Sequence, residues 1–355
     1  MNSIPTFVLP PLSAIYSAVI QARIALYRRG TLRVHKLDAP VISVGNMTTG
    51  GTGKTPLVEW VSRALAYDGR KVCILTRGYG RANPNIRVVV SDGVEILADE
   101  RQSGDEPFLL AQNLQDLAAV VCDADRVSAG QWAIKELGID AFVLDDGFQQ
   151  LRLARDLNIV TVDATSPWGG NHLLPYGRLR EPLGGLSRAD CVVVTRADQN
   201  DDLSSLKEKL RHLSKGRPIF ISQMQSRGTR TIVGEKKSIA SLAQPFGAFC
   251  SVGNPKSFFS HLRRAGYSPV LTRAFPDHHA YGQNDVDSWV EEAKKAGAKS
   301  LITTAKDAVK LHSFSFELPC YFLEIQISID GEDQLLEMIR RAVSVRPSIT
   351  ELPRR

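Results

Sequence analysis

"VISVGNMTTGGTGKTP", residues 41–56, is the stretch on which the fold turns. An apolar, β-branched run leads into a loop of glycines and threonines, and a helical pattern follows from Pro56 to about Tyr67. Strand, glycine loop and helix in that order are the context in which G-x-x-x-x-G-K-[ST] marks a phosphate cradle. Gly53, Lys54 and Thr55 fit the pattern, while its leading glycine position holds Thr48. Gly50, Gly51 and Gly53 let backbone N–H groups approach phosphate oxygens with no Cβ in the way. The binding loop is therefore expected to run through Thr48, Thr49, Gly50, Gly51, Thr52, Gly53, Lys54 and Thr55. Lys54 would reach the β- and γ-phosphates, and the Thr55 hydroxyl would hold Mg²⁺. Pro56 suits a first helical turn, where a missing N–H costs little. The competing reading is a flexible hinge with a surface lysine; the agreement of strand, loop, Lys-Thr and helix argues against it.

Outward from this loop the same texture repeats. "KVCILT", "AAVVCD", "AFVLDD", "NIVTVD" and "CVVVTR" are short apolar runs that end in polar or charged residues, separated by helical segments. That alternation predicts an α/β fold: a P-loop NTPase-like, doubly wound, mostly parallel sheet whose ligands bind beyond the carboxyl ends of the strands. Near Ser222 the texture changes. "SRGTRTIVGEKKS" reads as a polar connection with a short strand, and a second series follows in "FGAFCSVG", "SLITTAKDAVKL" and "CYFLEIQI". The expected division is residues 1–40 as an N-terminal helix and connector, 41–222 as the P-loop core, and 223–355 as a smaller C-terminal α/β lobe. The tail "SVRPSITELPRR" is expected to be loose.

A P-loop site needs an acid near the metal at the end of another strand. "AFVLDDGFQ" supplies Asp145 and Asp146; Asp123, after "AVVC", is a weaker competitor. One of the aspartates could instead cap the next turn.

Composition sets limits. The chain has 355 residues, 43% hydrophobic and 23% charged, which is ordinary for a globular protein long enough for two domains. The five cysteines are widely spaced and include no C-x-x-C pair, so buried free thiols are expected rather than a zinc site. Formal charge is +6, and Arg23, Arg28, Arg29, Arg33 and Lys36 cluster before Pro40 against Asp38 alone. Basic residues beside an apolar segment suit an anionic membrane surface. Nucleic acid is not expected as a partner, since no recognition motif accompanies the charge. The segment "LSAIYSAVIQARIALYRRG" is apolar but interrupted by Arg23, and Ser13, Ser17 and Gln21 recur at helical spacing. It is too short and interrupted to read as a span, and lacks the order of a secretory signal. Two readings stay open: an amphipathic helix in the membrane interface, or a helix packed on the protein's own core.

The ordered set "PLSAIY", "GNMTTGGTGKTP", "TRGYGR", "SGDEP", "DADR", "DDGFQ", "LLPYGRLREP", "FPDHHAY" and "TTAKDAVKL", from residue 10 to about 311, resembles the lipid A tetraacyldisaccharide 4′-kinase family. Thr48 looks normal for that family. The resemblance implies ATP- and Mg²⁺-dependent phosphorylation of the 4′-hydroxyl of an acylated glucosamine disaccharide 1-phosphate. It also implies a monomer on the cytoplasmic face of the bacterial inner membrane, which favours the membrane-facing reading of the first helix. By the same resemblance Asp105, in "SGDEP", matches the acid that activates the sugar hydroxyl, and His278, in "FPDHH", its partner from the second lobe. Arg180 and Glu181 match the family's "REP" piece.

Read without the family, Asp105 could simply cap the helix begun by "EPFLLAQ". His278 and His279 could be metal ligands, Asp277 could be the working acid, and Lys306 and Asp307 read as a structural helix start. Arg77 and Arg81, in a basic loop at a strand end, could grip a phosphate. Two rival functions remain: a P-loop kinase or NTPase acting on another membrane-associated acceptor, and a nucleotide switch of the "KGGxGKT" type. The switch requires a lysine where this chain has Thr49.

Overall fold

The computed structural model describes residues 6–200, 202–237 and 242–344; residues 345–355 of the tail expected to be loose lie outside them. The strands are β1 (Val41–Asn46), β2 (Val72–Thr76), β3 (Val88–Ser91), β4 (Ala118–Cys122), β5 (Ala141–Asp145), β6 (Leu157–Asp163), β7 (Cys191–Thr195), β8 (Ile219–Thr231), β9 (Lys236–Lys237), β10 (Phe246–Cys250), β11 (Leu271–Ala274), β12 (Ser300–Thr304) and β13 (Cys320–Asp330). They form one sheet in the order β11-β10-β12-β13-β8-β7-β6-β1-β5-β2-β4-β3, with β9 beside β8. The sheet is mostly parallel; β3 on β4, β13 on β8 and β9 on β8 are the antiparallel pairings.

The strands flanking the phosphate loop are buried along their whole length. Continuous apolar runs, rather than alternating ones, are what a sheet covered on both faces requires. Ile42, Val44, Ile74 and Val143 pack one face against Leu57, Val61 and Leu65 of the helix Lys54–Tyr67. Leu75, Val121 and Phe142 pack the other against Val127, Ala129 and Ala133 of the helix Arg126–Leu137.

β8 decides where the site lies. "SRGTRT", read from sequence as a connection, continues β8 to a strand of 13 residues. Its first part pairs parallel with β7, and from Ile221 onward it pairs antiparallel with β13, from Ile221↔Asp330 to Thr231↔Tyr321. β12 and β10 run parallel to β13. The second half of the sheet therefore runs opposite to the first, and the carboxyl ends of its strands point back at those of the core. The sequence division at residue 222 falls inside this shared strand. The helix Glu332–Ser344 returns to the first core, where Leu335, Ile339 and Val343 are buried.

The helix Leu9–Arg28 has 20 residues and a mean hydropathy of 1.2, apolar and long enough by length and composition to cross a bilayer, where the interrupted sequence had argued against a span. One side is fastened to the body: Ser13 Oγ donates to the Leu173 carbonyl at 2.9 Å and Tyr16 OH to the Arg180 carbonyl at 2.8 Å. Its other side presents Leu12, Ile15, Val19 and Leu26, all exposed. A strip of the helix thus packs on the protein, as one of the two readings expects, and an apolar strip stays exposed. All five cysteines are buried and free.

Candidate functional site

The loop after β1 is a pinned frame. Asn46 Nδ2 donates to the Thr48 carbonyl at 2.7 Å and to Thr52 Oγ1 at 2.9 Å. Arg178 holds the Thr49 carbonyl through Nε at 3.0 Å and Nη2 at 2.6 Å, and accepts the Thr49 N–H on its own carbonyl at 2.8 Å. Arg196 Nη1 holds the Gly51 carbonyl at 2.7 Å, and Thr195 Oγ1 holds the Thr52 carbonyl at 2.8 Å. Gly50 and Gly53 have φ of 99° and 75°, the left-handed region that favours glycine. A Cβ on Gly50 would also stand 1.8 Å from Arg178 Nη2. Thr48, by contrast, is not among the residues of positive φ; it forms a bridge to Leu179, so the first loop position needs no glycine. Gly53 is the N-cap of the helix Lys54–Tyr67, which brings the positive helix end to the loop.

At the end of β5 the adjacent aspartates part ways. Asp146 adopts φ 53°, which carries its carboxylate to Lys54 Nζ at 3.4 Å and Arg180 Nη1 at 2.5 Å. Burial alone would raise its pKa, but Lys54 and Arg180 outweigh burial and hold it at about 2. Asp145 is buried, accepts from Thr76 Oγ1 at 2.9 Å, and is pushed up to about 6 by burial and by the nearby charges of Glu106 and Asp146. Two carboxylates and the Thr55 hydroxyl are hard oxygen donors of the kind magnesium takes. No group of three His, Cys, Asp or Glu able to cage a metal occurs among the described residues. An ion there would be carried largely by substrate phosphates and water; His278 and His279 face Asp105 and Asp285 at 3.1 and 3.2 Å.

Across the cleft stands the second cluster. Asp105 opens the helix Asp105–Asn113, with Gly104 as its N-cap; its Oδ1 accepts the Glu106 N–H of that first turn at 3.0 Å, and the same carboxylate faces His278. His278 Nδ1 lies 3.1 Å from both Asp105 oxygens. His278 itself has φ 58°, an uncommon conformation for a non-glycine residue, held at the turn after β11. Burial works to raise the Asp105 pKa, yet the His278 hydrogen bond and the charges of Lys306 and Lys310 bring it below the usual carboxylate range. Its hydrogen bond to Asp105 raises the His278 pKa against burial and the charge of Lys306. Asp105 is 7% exposed, while His278, Glu106, Asp277 and Lys306 line the cleft. The same cleft is lined by Thr49–Pro56, Arg77, Asp145, Asp146, Gln149 and Arg180, and reaches Tyr16, Ile20 and Arg23 of the first helix.

The remaining residues singled out from sequence are placed as follows. Arg77 is exposed in the cleft lining. Arg81 is buried, donates to the Pro84 carbonyl at 2.6 Å and leaves Nε and Nη1 without a partner. Glu181 is buried between Gln149 Nε2 and Arg188 Nη2, each at 2.7 Å. Asp123 binds Arg87 at 2.8 Å rather than joining the loop. Asp307 is structural as expected: it is fully buried, accepts from the Ser251 N–H at 3.0 Å and Tyr281 OH at 3.1 Å, and lies 3.3 Å from Lys310. Its neighbour Lys306 is not a helix-start residue only. It lies in the cluster, 2.9 Å from Glu106 Oε1 and 3.3 Å from His278 Nε2. Lys306, Glu106 and Gln149 were missed as site residues, although "TTAKD", "SGDEP" and "DDGFQ" already carried them.

A family model described as tetraacyldisaccharide-1-P 4′-kinase matches residues 5–344. The tetraacyldisaccharide 4′-kinase of Desulfotalea psychrophila is 37% identical over 329 residues, 92% of this chain and 94% of its own. That of Geobacter sulfurreducens is 40% identical over 300 residues, 84% of this chain and 82% of its own. Among solved structures, LpxK from Aquifex aeolicus in complex with ATP is 31% identical with a TM-score of 0.77, covering 96% of this chain and all of that one.

Proposed function

The chain belongs to the tetraacyldisaccharide-1-P 4′-kinase family, and from that premise we propose how its residues divide the work. The enzyme is an ATP-dependent kinase of lipid A biosynthesis that phosphorylates the 4′-hydroxyl of a tetraacyldisaccharide 1-phosphate. Backbone amides from Thr48 to Thr55 cradle the phosphates, with Lys54 on the β- and γ-groups. Thr55, Asp145 and Asp146 would hold magnesium, which when bound neutralises the charge that develops on the transferring phosphoryl group. Arg77 and Arg180, at the cleft wall, supply positive charge for substrate or nucleotide phosphate. Glu181 supports this wall indirectly, by orienting Gln149, and Arg81 by pinning the loop that carries Arg77.

A sugar hydroxyl is a poor nucleophile, and a positioned base is worth roughly 10²–10⁴ in rate. The Asp105–His278 pair takes the 4′-hydroxyl proton as its oxygen bonds to the γ-phosphorus and the bond from that phosphorus to the bridging oxygen breaks, releasing ADP. Asp105 carries the negative charge that drives the transfer; His278 presents its ring to the cleft. Because the two residues come from opposite halves of the sheet, the pair exists only when those halves meet, which discourages transfer to water.

The observation that carries this reading is the shared cleft: Lys54 and Asp146 on one wall, His278 backed by the buried Asp105 on the other, and the N-terminal helix at its end. The apolar face of that helix, with Arg28 and Arg29 at its end, supports seating on the cytoplasmic face of the inner membrane, where the lipid substrate would enter beside Tyr16 and Ile20. The test is to incubate purified protein with Mg·ATP and radiolabelled disaccharide 1-phosphate in detergent micelles. A bis-phosphorylated product is expected; folded protein yielding none would remove the assigned acceptor.

A further inference from the structure

Lys306 opens the helix Ala305–Leu311 on the second half of the sheet and reaches across to the first. Its Nζ lies 2.9 Å from Glu106 Oε1, 3.3 Å from His278 Nε2, 3.5 Å from Asp277 Oδ1 and 3.8 Å from Asp105 Oδ2. Its side chain is largely buried, which works against a charge, yet Glu106, Asp105 and Asp277 outweigh burial and hold its pKa above the ordinary lysine range. It is an ammonium at any working pH. An ammonium only donates hydrogen bonds, and a neutral imidazole has one donor and one acceptor nitrogen. The His278 nitrogen that faces Lys306 must therefore offer a lone pair, and the ring proton must sit on Nδ1, between the two Asp105 oxygens.

We propose that Lys306 is a positioning residue that sets the His278 proton on Nδ1 and opposes protonation of Nε2, so that the Asp105–His278 pair meets the substrate with an intact Asp105 carboxylate. This rests on the kinase reading above and deepens it. Other groups around the ring pull the opposite way or are occupied. Asp277 Oδ1, 3.8 Å from Nε2, favours a protonated ring, as does Asp105 of the facing helix. Tyr79 lies against the ring with centroids 5.2 Å apart. Lys310 is 3.9 Å from Asp105 Oδ2 but is tied to Ser251 Oγ at 2.6 Å and to the His279 carbonyl at 3.1 Å. Lys306 is thus the cation in contact with Nε2. Without it, the carboxylates of Asp105 and Asp277 flank the ring unopposed and it protonates at higher pH, which weakens Asp105 as a base.

Two measurements test this on the full-length protein in micelles. In the first, turnover with Mg·ATP and the disaccharide 1-phosphate is followed against pH. Lys306→Met should move the acid limb of kcat upward by about one pH unit, a loss of about ten-fold near pH 6.5 that shrinks toward pH 8.5, and Lys306→Arg should return the limb. A loss equal at every pH, or an unchanged profile, overturns the proposal in favour of a staple between the halves. The second needs no variant and no turnover: ¹⁵N shifts of His278 in labelled wild type near neutral pH should show Nδ1 protonated and Nε2 not. Protonation at Nε2 overturns it. An inactive wild type would instead count against the kinase reading, while the ¹⁵N shifts would still report on Lys306.

Discussion

The phosphate loop draws its working groups from residues 46–55, whereas the cluster facing it draws on Asp105, on His278 after β11, and on Lys306 after β12, elements separated by up to 200 positions. The first is held within one half of the sheet, by a strand, a helix start, glycines of left-handed φ, and the pins from Arg178, Thr195 and Arg196. The second exists because β8 runs on past β7 and β13 turns back along it, so that two sets of strand ends meet. The difference is one of robustness. A local frame survives small shifts between the halves of the sheet; an assembled pair does not.

The sharpest way to break this contrast is Lys54→Ala. It should lower turnover by about 10⁴-fold or more, because the cation on the transferring phosphates cannot be replaced from the other wall. A modest loss would mean that Asp146 and Arg180, not Lys54, organise that wall.

Asp105→Ala should lower turnover by roughly 10²–10⁴ while ATP still binds, since the phosphate wall is untouched. His278→Ala should fall in the same range, and the double variant should cost little more than either alone, as expected for residues that act as a unit. Independent, multiplying losses would show that the two residues do not form one proton acceptor. Unchanged turnover in Asp105→Ala would leave the residue only its place at the helix start.

Removing residues 1–29 should shift the protein from the membrane to the soluble fraction on fractionation, since Leu12, Ile15, Val19 and Leu26 leave with it. Retention on the membrane would place the anchor elsewhere.

The smallest expected effect separates the paired aspartates. A carboxyl whose folded pKa is raised, as for Asp145 at about 6, contributes most below its unfolded value of 3.8 and loses that contribution as pH rises through about 6. Asp146, lowered to about 2, contributes above 3.8 and loses it only as pH falls toward 2. Asp145→Asn should therefore raise the stability of the nucleotide-free protein by about 2 kcal/mol at pH 7.5 and leave it nearly unchanged at pH 4. Thermal melts at the two pH values check this; a gain of equal size at both would show that charge burial is not the cause.

Much of the first wall was legible in residues 41–56, 71–76 and 141–146, because buried parallel strands are continuous apolar runs and a left-handed loop needs glycine. β8 was legible only in part: half-exposed and rich in Arg, Ser and Thr, it has neither the apolar run nor the clean alternation that marks a strand from sequence. The surroundings of Lys306 are illegible for a different reason. A lysine at a helix start carries no local mark of function, and its role comes from the three acids and the imidazole that the fold brings around it.

By itself the sequence determined a phosphate-binding strand–loop–helix in an α/β sheet, through groups that act on their immediate neighbours. The tertiary structure alone decided which aspartate of "DD" has its pKa raised and which lowered, that Asp105 pairs with His278 as well as accepting a helix-start N–H, and that Lys306 faces them. Hydrogen bonding along a strand or helix is short-range in the chain, while burial and charge depend on whatever the fold places within a few ångströms, however distant in sequence.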